Sequence, residues 1–140
     1  MKLGFGKPKQ RNPLDNNAET PVTTRLKDLC GGDGDFYGAM SRLMFLDPKR
    51  ITAPLDRVLA DARESEAKGD KLRAEVSYRI AGGIALYRAD TASVKNYFGK
   101  AASFAGDTRP EYQVILKQSE EAVNIATKYY NEIGSVSSPS

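Results

Sequence analysis

The chain contains no histidine, no tryptophan and a single cysteine, Cys30. The missing histidines exclude more chemistry than any other feature of its composition. No Ser-His-Asp or Cys-His centre can be built, and no zinc, haem or di-iron site that relies on imidazole ligands. A lone cysteine forms no internal disulfide and no thiolate cage, which fits the reducing cytosol. Long apolar runs are also lacking: no stretch approaches the roughly 18 apolar residues of a bilayer span, and the segment from Met1 to Pro8 has no apolar core of signal-peptide length. The expectation is a soluble cytoplasmic protein with no membrane attachment, no cofactor and no metal.

Neither sign of charge is scarce. Against 21 Lys and Arg stand 18 Asp and Glu, a formal charge of +3 over 140 residues. That mixture is too even to mark a nucleic-acid protein by itself, so its distribution matters more. The first eleven residues hold Lys2, Lys7, Lys9 and Arg11 and no acid, whereas Asp47 to Glu75 holds seven bases and seven acids. Residues 1–20, with Gly4, Gly6, Pro8 and Pro13 and only Leu3, Phe5 and Leu14 as bulky apolar groups, read as a flexible basic arm. Ser135 to Ser140 reads as a second disordered tail. The length suits one domain, placed at residues 21–134.

Within that domain the apolar spacing is helical nearly throughout, and nothing alternates with the two-residue period of a strand. A short helix is expected from about Thr23 to Cys30, stopped by Gly31-Gly32-Asp33-Gly34. A second runs from about Asp35 to Leu46 on Phe36, Met40, Leu43 and Met44, and ends at Asp47-Pro48 because a residue preceding proline is pushed off helical angles. Thr52 is the expected N-cap of a third helix, with Pro54 in its first turn and Leu55, Val58, Leu59 and Ala62 inward. Its outer face pairs Glu64 with Lys68.

The fourth helix, Lys71 to Tyr87, carries two apolar stripes: Leu72, Val76, Ile80, Ile84 and Tyr87, and beside it Ala74, Tyr78, Ala81 and Ala85. Such girth predicts a central helix. Gly82 and Gly83 are costly in mid-helix, which predicts the close approach of a neighbouring helix backbone. Asp90 or Thr91 caps a fifth helix to about Phe104, with Val94, Tyr97, Phe98 and Ala101 inward. Thr108-Arg109-Pro110-Glu111 has the form of a capping box. It opens a last helix running unbroken to about Ile133, with Gly134 as its stop. The whole is an all-α fold, an antiparallel bundle or short helical array of about five to six helices.

The set Tyr78, Ala81, Gly82 and Ala85, followed by Val94, Phe98 and Ala101, resembles one tetratricopeptide repeat, with Gly82 where two antiparallel helices cross and Gly106 where the usual proline closes the unit. Tyr112 and Ile115 fall 34 residues after Tyr78 and Ala81, the repeat period, so the last helix resembles the closing helix of an array. Upstream, the same shift lands on Met44 and Asp47, where a helix ends. The resemblance implies a protein-binding scaffold whose groove lies beside helices 71–87 and 109–133, with Arg79, Tyr87, Gln113 and Lys117 as candidate contact residues. Arg79 matches a position that is basic in chaperone-binding members, but Gly83 stands where those members carry asparagine, so their carboxylate clamp is not expected.

Other motifs have plainer readings. The Gly31 to Asp35 loop lacks both the Gly-Lys-Ser/Thr ending of a phosphate loop and the spaced acids of a calcium loop, and reads as a linker. Glu64, Glu66, Glu120 and Glu121 read as solvated carboxylates, Cys30 as a buried or incidental thiol, and Tyr129-Tyr130 as packing residues. The expected function is non-catalytic: an adaptor or small subunit whose partner is another protein. The alternative is a nucleic-acid-associated accessory protein in which Lys2, Lys7, Lys9 and Arg11 grip phosphate without base readout.

Overall fold

Three of the seven helices among the described residues start at an aspartate placed to cap them, and a fourth aspartate caps a short 3₁₀ turn. The computed structural model describes residues 21–137, and among these it contains α1 (Pro21–Leu29), α2 (Gly34–Leu43), α3 (Leu55–Ala67), α4 (Lys71–Tyr87), α5 (Thr91–Ala105), α6 (Glu111–Lys117) and α7 (Ser119–Ser137), and no strand. Asp33 accepts from the Phe36 amide, Asp70 from Arg73 and Asp90 from Ser93, each satisfying an orphan donor of a first turn. The loop from Gly31 to Asp35 is accordingly a linker that ends in a cap. Asp47 does the same for the 3₁₀ turn Pro48–Arg50, and the fourth capped unit begins there.

The α3–α4 and α4–α5 corners are built alike. In Lys68-Gly69-Asp70 the Asp70 amide donates to the Ser65 carbonyl and Gly69 to Glu66; in Arg88-Ala89-Asp90 the Asp90 amide donates to Ala85 and Ala89 to Leu86. Each is a Schellman closure whose last residue immediately caps the next helix. Such a closure requires a left-handed residue, and Gly69 supplies it at φ 77° while Ala89 is forced there at φ 58°. Left-handed angles cost a residue with a Cβ about 1 kcal/mol. Ala89→Gly is therefore expected to raise the unfolding free energy by about 0.5–1 kcal/mol, read from urea denaturation, and an unchanged or lowered value contradicts the account.

Two expected starts fail for one reason. Thr52 does not cap α3; the N-cap is Pro54, in extended geometry and without a side-chain bond. Thr108 does not form a capping box either: α6 begins after Pro110, and the Thr108 hydroxyl instead donates to Ala105 O at 2.7 Å. In both cases capping by the threonine would place the residue before a proline in the first helical turn, where proline disfavours it; Arg109 sits at φ −135°, ψ 85°. The last helix is not continuous. Gln118, at φ −132°, ψ 44°, separates α6 from α7, and the Ser119 hydroxyl covers the Ile115 and Leu116 carbonyls freed there. Past this break Ala122, Val123, Ile125, Ala126 and Tyr129 are buried, so of the two tyrosines Tyr129 is the fully buried ring. Gly134 stops nothing, since α7 continues to Ser137.

α4 is the central helix. It packs on α3 and α5, and more lightly on α2 and α7, while α1 lies against α7 and α2 against α6. The first helices thus close on the last. Arg25 of α1 pairs with Glu132 of α7 across that seam. Within α4 the small-residue stripe faces inward, with Ala74, Tyr78, Ala81 and Ala85 all buried. Gly82 makes room for a side chain and not, as the sequence suggested, for a helix backbone, whereas Gly83 makes room both for a side chain and for the last carbonyl of α2. A Cβ on Gly82 would lie 2.5–2.7 Å from the Phe98 ring of α5, and one on Gly83 would lie 2.8 Å from the Phe45 ring and 3.1 Å from the Leu43 carbonyl oxygen.

Candidate interaction surface

The larger stripe of α4 is the uncovered one. Leu72 is 68% exposed and Tyr87 46%, Val76 and Ile80 are half-buried, and only Ile84 is enclosed. Leu72 is therefore not packed inward, and Tyr87, a candidate contact residue, lies open: the bulky row is too wide for the helix contacts available, and the alanines allow the closer packing on the other side. What covers the stripe at its C-terminal end is the connection between α2 and α3. Phe45 lies over Gly83, and Tyr87 meets Tyr130 edge-on at 4.9 Å.

That connection is tied down from α7. Tyr129 donates through its hydroxyl to Leu46 O at 2.7 Å, and Tyr130 donates to Phe45 O at 2.5 Å. Consecutive tyrosines on a helix point about 100° apart, so the pair reaches two adjacent carbonyls while the rings pack on each other at 5.3 Å. Burial pushes the Tyr129 phenol up to about 12 and moves Tyr130 upward as well. Both remain protonated donors at neutral pH.

Two shallow cavities flank this point. One, about 220 Å³, lies between the connection, α3 and α4 and is lined by Phe45, Arg50, Ile51, Val58, Asp61 and Ile80 among others. The second, about 210 Å³, is bounded by Arg42, Leu43, Met44, Phe45, Arg79 and Ile80. Phe45 and Ile80 belong to both and form the ridge between them. Each is smaller than the roughly 300–1,000 Å³ of a typical small-molecule pocket and suits one inserted side chain.

Of the residues expected to make contacts, Arg79 borders the second cavity and Tyr87 ends the exposed stripe. Gln113 and Lys117 are exposed on α6, whose neighbours are α2 and α5, and they line neither cavity. The two cavities thus lie between α4 and residues 42–53, at the end of α2 and in the connection that follows it, while Gln113 and Lys117 lie on a different face. Phe45 and Ile51 went unnoticed in the sequence; their signal is an apolar run, Met44-Phe45-Leu46, placed against a proline stop, where a helix has ended but apolar residues continue. Lys2, Lys7, Lys9 and Arg11 lie outside the described residues.

The polar groups elsewhere are structural. Glu75 is buried, and its Oε2 accepts from the Tyr112 hydroxyl and the Arg109 guanidinium, both at 2.8 Å, fastening α4 to the start of α6. Burial first, and this carboxylate second, raise the Tyr112 phenol. Glu66 keeps 35% of its side chain exposed but is partnered. It accepts from Tyr78 Oη at 2.8 Å and Lys100 Nζ at 3.1 Å, which lower its pKa in that order, and Lys100 lies 5.6 Å over the Tyr78 ring. Glu64 and Lys68 do pair, at 2.9 Å, but fully in solvent.

Cys30 is buried, and its thiol is pushed up to about 11 by burial and then by Asp33 and Glu121. Thiolate is the reactive form, so labelling by an aromatic disulfide reagent at pH 8 is expected to be at least tenfold slower in the native protein than in urea. Equal rates would place the thiol in solvent. Among the described residues no three His, Cys, Asp or Glu side chains cluster to hold a metal, and no helix is long and apolar enough to cross a membrane. No protein-family model, no curated protein and no solved structure matches the chain.

Proposed function

We propose that the chain is a non-catalytic, cytoplasmic protein-binding module, an adaptor or small subunit of a larger assembly, that engages its partner through the open face of α4. The observation that carries this reading is the row of exposed Leu72 and half-buried Val76 and Ile80, running into the groove at Phe45. An aliphatic side chain left in water forgoes about 1.5–3 kcal/mol of burial, which a partner recovers. The likeness of the α4–α5 hairpin to a tetratricopeptide unit supports the same face, because the first helix of each unit lines the groove of such arrays. The shallowness of the cavities and the absence of histidine support a surface that binds over one that reacts. Arg79 and Tyr87 stay within the proposed contact surface, and Gln113 and Lys117 fall outside it.

Affinity capture from native lysate tests the reading, with the unaltered chain compared against a Leu72→Gln, Val76→Gln double variant of equal helicity. A partner retained by the first and weakened at least tenfold by the second is the expected result. Recovery of free monomer alone, or capture indifferent to the two changes, overturns it.

A further inference from the structure

We infer that the occupant of this face is an acidic segment of another protein, an amphipathic peptide whose apolar anchors seat on the Phe45–Ile80 ridge while its carboxylates meet Arg42, Arg50 and Arg79; the inference rests on the docking reading above. The charges around the groove are unequal. Its two cavities are lined by three guanidinium groups and one carboxylate, Asp61. The cavity beside Arg42 and Arg79 has no acid in its lining at all.

Among the described residues, none of these three arginines is held in an ion pair, whereas Arg25 is paired with Glu132 and Arg109 with Glu75. Arg42 and Arg50 are exposed and Arg79 half-buried, so each keeps a planar fork of donors free for a carboxylate, which it binds in bidentate fashion. An apolar floor with a basic rim on one side is the complement of an amphipathic segment carrying acids beside its apolar row.

The two occupants nearest to hand do not fit. A second copy docked by the same face would set one trio of arginines against another, since a two-fold interface repeats its own surface. The first eleven residues of the chain carry four bases and no acid and would meet the same repulsion. The spacing also favours a helical ligand. Leu72, Val76 and Ile80 lie one turn apart, a row of about 12 Å at 1.5 Å per residue, which a partner helix of two to three turns matches with anchors at i, i+4 and i+7. Asp61 offsets Arg50 at the first cavity, so the acidic end of the ligand lies over Arg42 and Arg79.

The test uses the full chain and a synthetic amphipathic helix of about four turns, with leucines along one face and glutamates beside them. Its controls are the same peptide with lysine for glutamate, the same peptide with serine for leucine, and a mixed-sequence single-stranded RNA. Amide shifts locate the binding and fluorescence anisotropy measures it over a range of salt. The acidic peptide is expected to shift Leu72, Val76, Arg79, Ile80 and residues 42–53, and to bind at least tenfold tighter than the lysine and serine versions. An Arg42→Glu, Arg79→Glu variant of unchanged helicity reverses the order of the glutamate and lysine peptides.

Equal binding of the lysine and glutamate peptides at these residues overturns the acidic preference and leaves the docking face standing. Shifts from RNA but not from the acidic peptide overturn it in favour of a polyanion. If no peptide moves these residues the inference is wrong, and the Leu72→Gln, Val76→Gln capture then decides separately whether the face docks anything.

Discussion

Replacing Gly82 with alanine lowers the unfolding free energy by about 1–3 kcal/mol, while the same replacement at Gly99 raises it by about 1 kcal/mol. Both glycines sit inside helices, α4 and α5, and helix propensity alone favours alanine at each. They differ in what a methyl group meets. At Gly99 nothing lies within 4 Å, so the gain in propensity is realised. At Gly82 the methyl overlaps the Phe98 ring at 2.5–2.7 Å, closer than carbon atoms approach, and that ring is completely enclosed. Either the ring leaves its rotamer or the two central helices move apart, and close-packed interiors make both costly. Urea unfolding followed by far-ultraviolet circular dichroism separates the pair by sign, and a stabilised Gly82→Ala would refute the packing described between α4 and α5.

Alkali is expected to unfold the protein steeply above pH 10. Tyr112, Tyr129 and Tyr130 all have phenols displaced upward by burial, Tyr129 to about 12. Geometry agrees, because each hydroxyl donates to an oxygen: Glu75, the Leu46 carbonyl and the Phe45 carbonyl. Loss of the proton would leave an anion facing an acceptor. The sign follows from linkage: between pH 10 and about 12 the unfolded chain releases protons that the folded chain retains, so the stabilisation present below pH 10 is lost as pH rises. Each such group contributes a slope of about 1.4 kcal/mol per pH unit, and three together about 4. Tyr130→Phe removes one of them, at a cost of about 1 kcal/mol at neutral pH for its hydrogen bond. The decline of stability between pH 10 and 11.5 is then shallower by about a third in the variant. Identical slopes would show that Tyr130 titrates as it does in water.

The class of fold was plain in the residues because helical periodicity and aspartate caps speak locally. α4 could be bounded at Lys71 and Tyr87 from the breaks on either side of it alone. Errors arose where two local rules competed. Proline was expected to end α2 at Asp47, but α2 stops earlier, at Leu43; at Ala53 and Arg109 the threonine ahead was given priority, and there the steric effect of proline prevailed in the structure. The candidate surface was less legible. Which stripe of α4 faces inward depends on the neighbours, and a stripe of alanines wins by permitting closer packing that no scale of hydrophobicity records. Arg79 was chosen through the resemblance to a tetratricopeptide unit, whereas Phe45 reaches the groove only because residues 84 and 85 positions further along the chain hold its segment in place.

The tether from Tyr129 and Tyr130 to the 45–46 carbonyls also sets an order of events during synthesis. The ridge of the groove comes from residues 45 and 46, but its anchors lie more than eighty residues further on, and α1 and α2 likewise wait for α6 and α7 before they can be covered. The central hairpins can form early because their contacts are local, whereas this closing step joins segments far apart in the chain. The groove beside Phe45 is thus finished only after residues 129 and 130 have been made and have folded back onto it.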